Sequence, residues 1–129
     1  MLETLDINCD MGESFGNWKM GDDAGMSRFI TTANVACGFH AGDPMVMRNT
    51  VRLAREHSIA VGAHPGLPDL MGFGRRHMTI TPDEAHAYVI YQAGALQAAL
   101  RAEGMRLHHI KPHGAFYYLL KTDEELSEA

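Results

Sequence analysis

The chain holds 129 residues, 46% hydrophobic, 21% charged and 8% aromatic. That length suits one globular domain, and the apolar content excludes a disordered chain. With 16 acidic against 11 basic residues the formal charge is −5, the wrong sign for a nucleic-acid or anionic-membrane partner. The longest apolar run, Ala115 to Leu120, is far too short to span a bilayer. Residues Met1 to Asp6 show neither the basic n-region nor the apolar h-region of a signal peptide, and Cys9 and Cys37 have no zinc-ribbon spacing. The expectation is a cytoplasmic chain with reduced thiols.

In chain order, Thr4 to Cys9 reads as a first strand, and a short helix is expected from Asp23 to Ile30. A second strand runs from Thr32 to Phe39. Asp43-Pro44 then forms an N-cap with proline at the first helical position, leading into Met47, Val51 and Ala54. Ile59 to Ala63 is a third strand. Thr81-Pro-Asp-Glu84 is a capping box, opening a helix that carries Ala85, Val89, Leu96 and Leu100 inside and ends at Gly104. Leu107 to Lys111 is a fourth strand, and Thr122-Asp-Glu-Glu125 reads as another capping box.

Strands alternating with helices imply a parallel sheet with right-handed crossovers. No Gly-x-Gly-x-x-Gly follows the first strand and no P-loop occurs, which disfavours the nucleotide-binding doubly wound folds. Alternation along the strands places Asp6, Asn8 and Asp10 on one face, then Asn34 and His40, then Gly62 and His64, then His109 and Lys111. Polar groups delivered to one end by successive strands are how a (β/α) barrel builds its site. Four such units make half of a barrel, whose eight-unit form takes about 250 residues. The expectation is one domain over residues 1–129, an α/β half barrel completed by a missing second half or by another copy of the chain.

Asp6, Asn8, Asp10 and Glu13 crowd carboxylates together, which calls for a cation, a shared proton or a Lys/Arg partner; the plainer reading is strand-end Asx turns. His40, His64 and His113 each end a strand and with Asp10 would suit a divalent metal, the alternative being histidines that bind substrate or order loops. After His64 come Pro65, Asp69 and the Gly72-Phe-Gly-Arg-Arg76 run, where Arg75 and Arg76 either grip an anion or pair with Asp69 or Glu84. Lys111 near Asp6 and Asp10 either polarises a carbonyl or forms a structural bridge. His57, His77, His86 and His108 read as surface or helix residues, and Cys9 and Cys37 as core thiols. Trp18 either walls a small pocket or is simply buried, and Tyr117 either lies beside the site or packs in the core.

Five blocks together, Asp6-Ile-Asn-Cys-Asp-Met-Gly-Glu-Ser-Phe-Gly16, Ala33-Asn-Val-Ala-Cys-Gly-Phe-His-Ala-Gly-Asp-Pro44, Gly62-Ala-His-Pro65 with Pro68-Asp69, Gly72-Phe-Gly-Arg-Arg76 and Lys111-Pro-His-Gly114, closely resemble the LamB/YcsF lactam-utilisation family over its N-terminal half. The resemblance implies an irregular (β/α) TIM-like barrel of the glycoside hydrolase/deacetylase type. It also implies ATP-dependent opening of the small lactam 5-oxo-L-proline to L-glutamate, with ATP as co-substrate and the B and C subunits of 5-oxoprolinase as partners. Its motif positions fall on Asp10, Glu13, His64, Lys111 and His113 as catalytic candidates. Asp6, Asn8, Asn34, His40, Asp43, Asp69, Arg75 and Arg76 fall to substrate binding. A superfamily metal site would correspond to Asp10, His40 and His64. This chain departs at Tyr118, where the family usually carries Asn. The rival readings are a metal-dependent amide hydrolase or deacetylase that needs no ATP, and a non-catalytic substrate-binding or scaffold component.

Overall fold

The computed structural model describes residues 5–129. The first expected strand begins at Thr4, outside the described residues. Four strands, β1 (Asn8–Met11), β2 (Thr32–Ala36), β3 (Ala60–His64) and β4 (Leu107–Ile110), pair in chain order into one parallel sheet. Among the described residues the sheet stays open, so the fold is α/β with a parallel sheet and the closed barrel is not seen. Helices α1 (Asp23–Met26), α2 (Pro44–Glu56), α3 (Pro82–Ala102), α4 (Gly114–Thr122) and α5 (Glu124–Glu128) connect and flank the strands. Among the described residues no helix is long and apolar enough to cross a membrane.

The helix starts follow from side-chain chemistry. Asp43 accepts from the backbone N–H groups of Met45 and Val46 at 2.8 and 2.9 Å, which satisfies two orphan donors of α2. At α3 the Thr81 hydroxyl accepts from Glu84 N while the Glu84 carboxylate accepts from Thr81 N, the expected reciprocal box. The reading of Thr122 as a cap is corrected: Thr122 belongs to α4 and its hydroxyl donates back to Tyr118 O, while Asp123 caps α5 by accepting from Leu126 N. Helix α1 also stops at Met26, short of Ile30, because the Ser27 hydroxyl turns back onto Ala24 O and ends the ladder.

The sheet face that carries Ala33, Val35, Val61 and Ala63 packs under α2 and α3, against Met47, Val51, Ala54, Leu96 and Leu100. Fully burying a leucine such as Leu96 contributes about 1.5–3 kcal/mol. A second cluster, Leu67, Ala85, Phe116 and Leu126, seats α4 and α5 against the start of α3. The opposite sheet face is polar. There the register sets Asp10 beside Asn34 and Asn34 beside Gly62, so one row of side chains crosses three strands. Both cysteines are free thiols on the packed side, and burial pushes Cys37 up to about 12, as a core thiol should be.

Candidate active site

Two groups of side chains stand out, one along the polar face of the sheet and one at the carboxyl ends of its strands. In the first, Asp10 on β1 receives the Lys111 ammonium at 2.6 Å and the Asn34 amide at 3.0 Å. Burial alone would raise the Asp10 carboxyl, yet the neighbouring His64 ring and the hydrogen bonds from Lys111 and Asn34 hold it well below the usual carboxylate range. Asn34, 1% exposed, also donates to Asn8 at 3.0 Å and accepts from His109 Nε2 at 2.6 Å. Strand alternation sets His109 on the polar face but assigns it no role in the site. His109 reaches Asn34 because β4 slips register between Val61 and Ala63, and because Gly62 has no side chain: a Cβ there would overlap the His109 ring. Asp6 is bound by the hydroxyls of Thr31 and Thr32, which lower its carboxyl. These groups border a small polar hollow of about 230 Å³ that also includes Lys111.

The second group is dry. His40, His64 and His113 are 1%, 1% and 3% exposed, and Glu13 joins them from the loop after β1. His64 Nδ1 lies 2.5 Å from Lys111 O, and His113 Nε2 lies 2.8 Å from Phe73 O. A carbonyl only accepts, so both of those nitrogens carry the proton. His113 Nδ1 faces His64 Nε2 at 3.0 Å, and the His40 ring stacks parallel on His113 at 3.7 Å. Burial pushes His113 down to about 4, with His40 alongside adding to the shift, and burial also lowers His40. Both rings are therefore neutral at pH 7.

The surrounding loops hold these rings in place. The Glu13 loop is tied down by Gly12 N donating to Asp23 and Gly16 N donating to Asp43. Asp43 therefore caps α2 and fastens this loop, and its carboxyl is lowered by those backbone donors. Asp69 accepts from Gly72 N, Arg76 N and the Arg76 guanidinium. Of the two readings of the arginines, Arg76 thus takes the structural one, while Arg75 lies over the Phe73 ring at 5.7 Å. Phe73 sits at φ +53, a rare conformation for a bulky residue, and its ring meets His113 and His40 edge-on at 4.8 and 5.5 Å. Gly114 lets α4 start against this loop, since a Cβ there would lie 2.7 Å from Gly74 O. Gln92 on α3, wholly buried, accepts from Gly66 N and donates to Gly66 O, both at 2.9 Å. Nothing in a helical sequence pattern marks that residue as the clasp of the His64 loop.

The ring cluster opens through Glu13 and His40 onto an apolar cavity of about 450 Å³ with Phe15, Trp18, Met71 and Phe73 in its walls. Trp18 walls a pocket as expected. Tyr117 is 54% exposed and Tyr118 64%. Of the expected metal set, His40 and His64 lie together with Glu13 and His113, and one ligand atom from each of these four falls within 4.8 Å of the others. Asp10 is not in that group, because Lys111 and Asn34 draw it to the polar row. His57, His77, His86 and His108 are exposed.

Known proteins share both the sequence and the fold that build this arrangement. A sequence model of the LamB/YcsF family matches residues 5–129. The chain is 62% identical over 125 residues to the 5-oxoprolinase A subunit of Thermococcus onnurineus, covering 97% of this chain and 49% of the relative. It is 58% identical over 125 residues to the 5-oxoprolinase A subunit of Bacillus subtilis, with the same coverage. The crystal structure of a lactam utilization protein from Thermus thermophilus superposes with a TM-score of 0.93 at 52% identity, over 95% of this chain and 50% of that one. The chain spans about half the length of the curated relatives it matches.

Proposed function

This chain belongs to the LamB/YcsF family, and from that premise we propose that it carries the part of a lactam-opening site that converts 5-oxo-L-proline to L-glutamate at the expense of ATP. The B and C subunits of the same assembly, and residues corresponding to the remaining half of its relatives, complete that site. The observation that carries the reading is the meeting of His64, Asp10 and Lys111 at the ends of three different strands: Lys111 Nζ lies 2.6 Å from Asp10, and His64 Nε2 lies 3.4 Å from it.

A lactam is an unstrained amide with a poor leaving group, so water opens it only after activation. Transfer of the ATP γ-phosphoryl to the lactam oxygen gives ADP and an activated ring carbon. Lys111 is placed to stabilise the negative charge of the phosphoryl group being transferred to that oxygen, a role for which a preoriented cation is well suited. Water then adds to the carbon. His64, oriented through its Nδ1 hydrogen bond to Lys111 O, takes the water proton on Nε2. The ring C–N bond breaks as the nitrogen is protonated and leaves as the amine of glutamate, and a second water hydrolyses the resulting acyl phosphate to the carboxylate and inorganic phosphate. Asp10 is too acidic to act as the base at neutral pH; it positions Lys111 and faces His64 Nε2 at 3.4 Å. Asn8, Asn34, Asp6 and His109 line the polar hollow beside these groups and contact the substrate or order those that do. Glu13, His40 and His113 lie on the other side of His64. Arg75 remains to receive the substrate carboxylate, while Asp43, Asp69 and Arg76 hold the loops.

The test is glutamate release from 5-oxo-L-proline with ATP and the B and C subunits, comparing this chain with one extended to the length of its relatives. ATP-dependent release that requires the extension, and that His64→Gln abolishes, is the expected result. Release without ATP would move the chemistry to an ATP-independent amide hydrolase. Unchanged release by the His64→Gln assembly would make this chain a scaffold.

A further inference from the structure

The geometry points to a divalent-cation site formed by Glu13, His40, His64 and His113, and we propose that this site, distinct from the Asp10-centred set the sequence suggests, holds a first-row transition metal. Proton placement leads to it. His64 Nδ1 and His113 Nε2 must both carry hydrogens, because each faces only a backbone carbonyl. In the neutral rings the other two nitrogens, His64 Nε2 and His113 Nδ1, are then bare lone pairs. They face one another at 3.0 Å. Two acceptors at that distance repel unless a positive charge lies at or between them.

A single proton on His64 Nε2 would settle that pair and the 3.4 Å approach to Asp10 Oδ2, and no more. His40, 1% exposed, has no hydrogen-bond partner on either ring nitrogen, and Glu13 Oε1 is likewise buried and unpartnered. Their mutual separation of 3.5 Å is long for a hydrogen bond. Buried polar atoms left unpaired are costly, and one such cluster in a chain this well capped calls for a ligand. A metal ion satisfies all four residues at once when the His40 ring turns out of its parallel stack on His113 to aim a nitrogen at it. One ligand atom from each lies within 4.8 Å of the rest; a tetrahedral ion with nitrogen and oxygen ligands at about 2.1 Å holds them about 3.4 Å apart.

The donor set selects the class of ion. Three neutral imidazoles and one carboxylate suit zinc, cobalt or nickel better than magnesium or calcium, which prefer oxygen. The carbonyl bonds at His64 Nδ1 and His113 Nε2 are the kind of outer contacts that orient metal-binding histidines. A cation bound here would supply Lewis acidity at the mouth of the apolar cavity that Glu13 and His40 border. A metal on His64 Nε2 takes up the lone pair that the proposed general base uses, so the ring serves only one of the two roles at a time; metal binding is read without substrate, and the two readings therefore fail separately.

The test is titration of the untagged, chelator-treated chain with cobalt(II), followed by visible d–d absorption and by equilibrium dialysis with metal analysis. The expected result is one cobalt per chain, displaced by zinc. Glu13→Gln and His113→Ala should each weaken binding at least about 10-fold with the circular dichroism spectrum retained. Asp10→Asn should leave the stoichiometry at one. No stoichiometric cobalt on a folded chain would overturn the proposal, as would binding that Glu13→Gln and His113→Ala leave intact. Nitrogen-15 spectra of the cobalt-free and zinc-treated chain decide the proton alternative. A proton on His64 Nε2 that persists with zinc overturns the metal site, and its loss on adding zinc supports it.

Discussion

Two histidine pairs lie on the same side of one sheet, and only one of them has its protons in order. At His108–His109 the rings meet at 3.0 Å between their Nδ1 atoms. His109 Nε2 donates to Asn34, which leaves His109 Nδ1 as the acceptor and lets exposed His108 donate to it. At His64–His113 the separation is again 3.0 Å, but both outer nitrogens are committed to carbonyls and two lone pairs are left face to face. The polar row is thus complete in itself: Asp10 has Lys111, Asn34 has Asn8, Asp10 and His109. The buried cluster is incomplete by one cation. The lesson is that the charged-looking part of a site can be the quiescent part, while neutral rings in a dry pocket are the ones waiting for a ligand.

The largest expected effect comes from the residue that touches both groups. In the complete assembly, His64→Gln should lower turnover about 100- to 10,000-fold, the range for loss of a general base. Glutamate release under saturating ATP is the measurement. Gln92→Leu should act on the buried side alone, leaving Gly66 N–H and Gly66 C=O without partners at a cost of about 1–3 kcal/mol for each. Urea unfolding reads it, and His109 resonances should not move. Gly62→Ala should do the converse. Its new methyl displaces the His109 ring from Asn34 and costs about 1–3 kcal/mol through overpacking, while metal binding by the buried cluster survives.

Lys111→Met should have the smallest effect on stability. Lys111 and Asp10 side chains are 40% and 37% exposed, and such screened pairs are worth about 0–1 kcal/mol. Its pH dependence is more informative. The folded Asp10 carboxyl is lowered from its ordinary 3.8, so its contribution is present above that value and lost as the pH falls through it toward the folded value. Thermal melts from neutral pH down to about 3 should therefore show a shallower acid decline in Lys111→Met than in the parent chain.

Much of this comparison is legible in the sequence because strand alternation is a strict geometric rule. It places Asp10, Asn34 and Gly62 on one face and Val35, Val61 and Ala63 on the other, and the register agrees. Side-chain caps at Asp43 and Thr81 are equally plain, since their bonds are local in sequence. What stays hidden is carried by loops and register. Glu13 reaches the histidines from a loop whose path depends on Asp23 and Asp43, residues distant in sequence. His109 depends on one slipped residue in β4. Gln92 and Phe73 act through backbone groups, and a sequence pattern carries no mark of which carbonyl a ring nitrogen will meet. For the same reason Asp10 looks like a metal ligand: spacing alone does not show that Lys111 and Asn34 both bond to its Oδ1.

The central claim, that Lys111 and His64 face the reacting amide, is tested most directly by a crystal structure of the complete assembly with 5-oxo-L-proline bound. The lactam oxygen should lie within hydrogen-bond distance of Lys111 Nζ, with the ring carbonyl carbon facing His64 Nε2. A lactam seated away from both, such as in the groove between α2 and α3 lined by Phe39, Met47 and Tyr91, would contradict that claim.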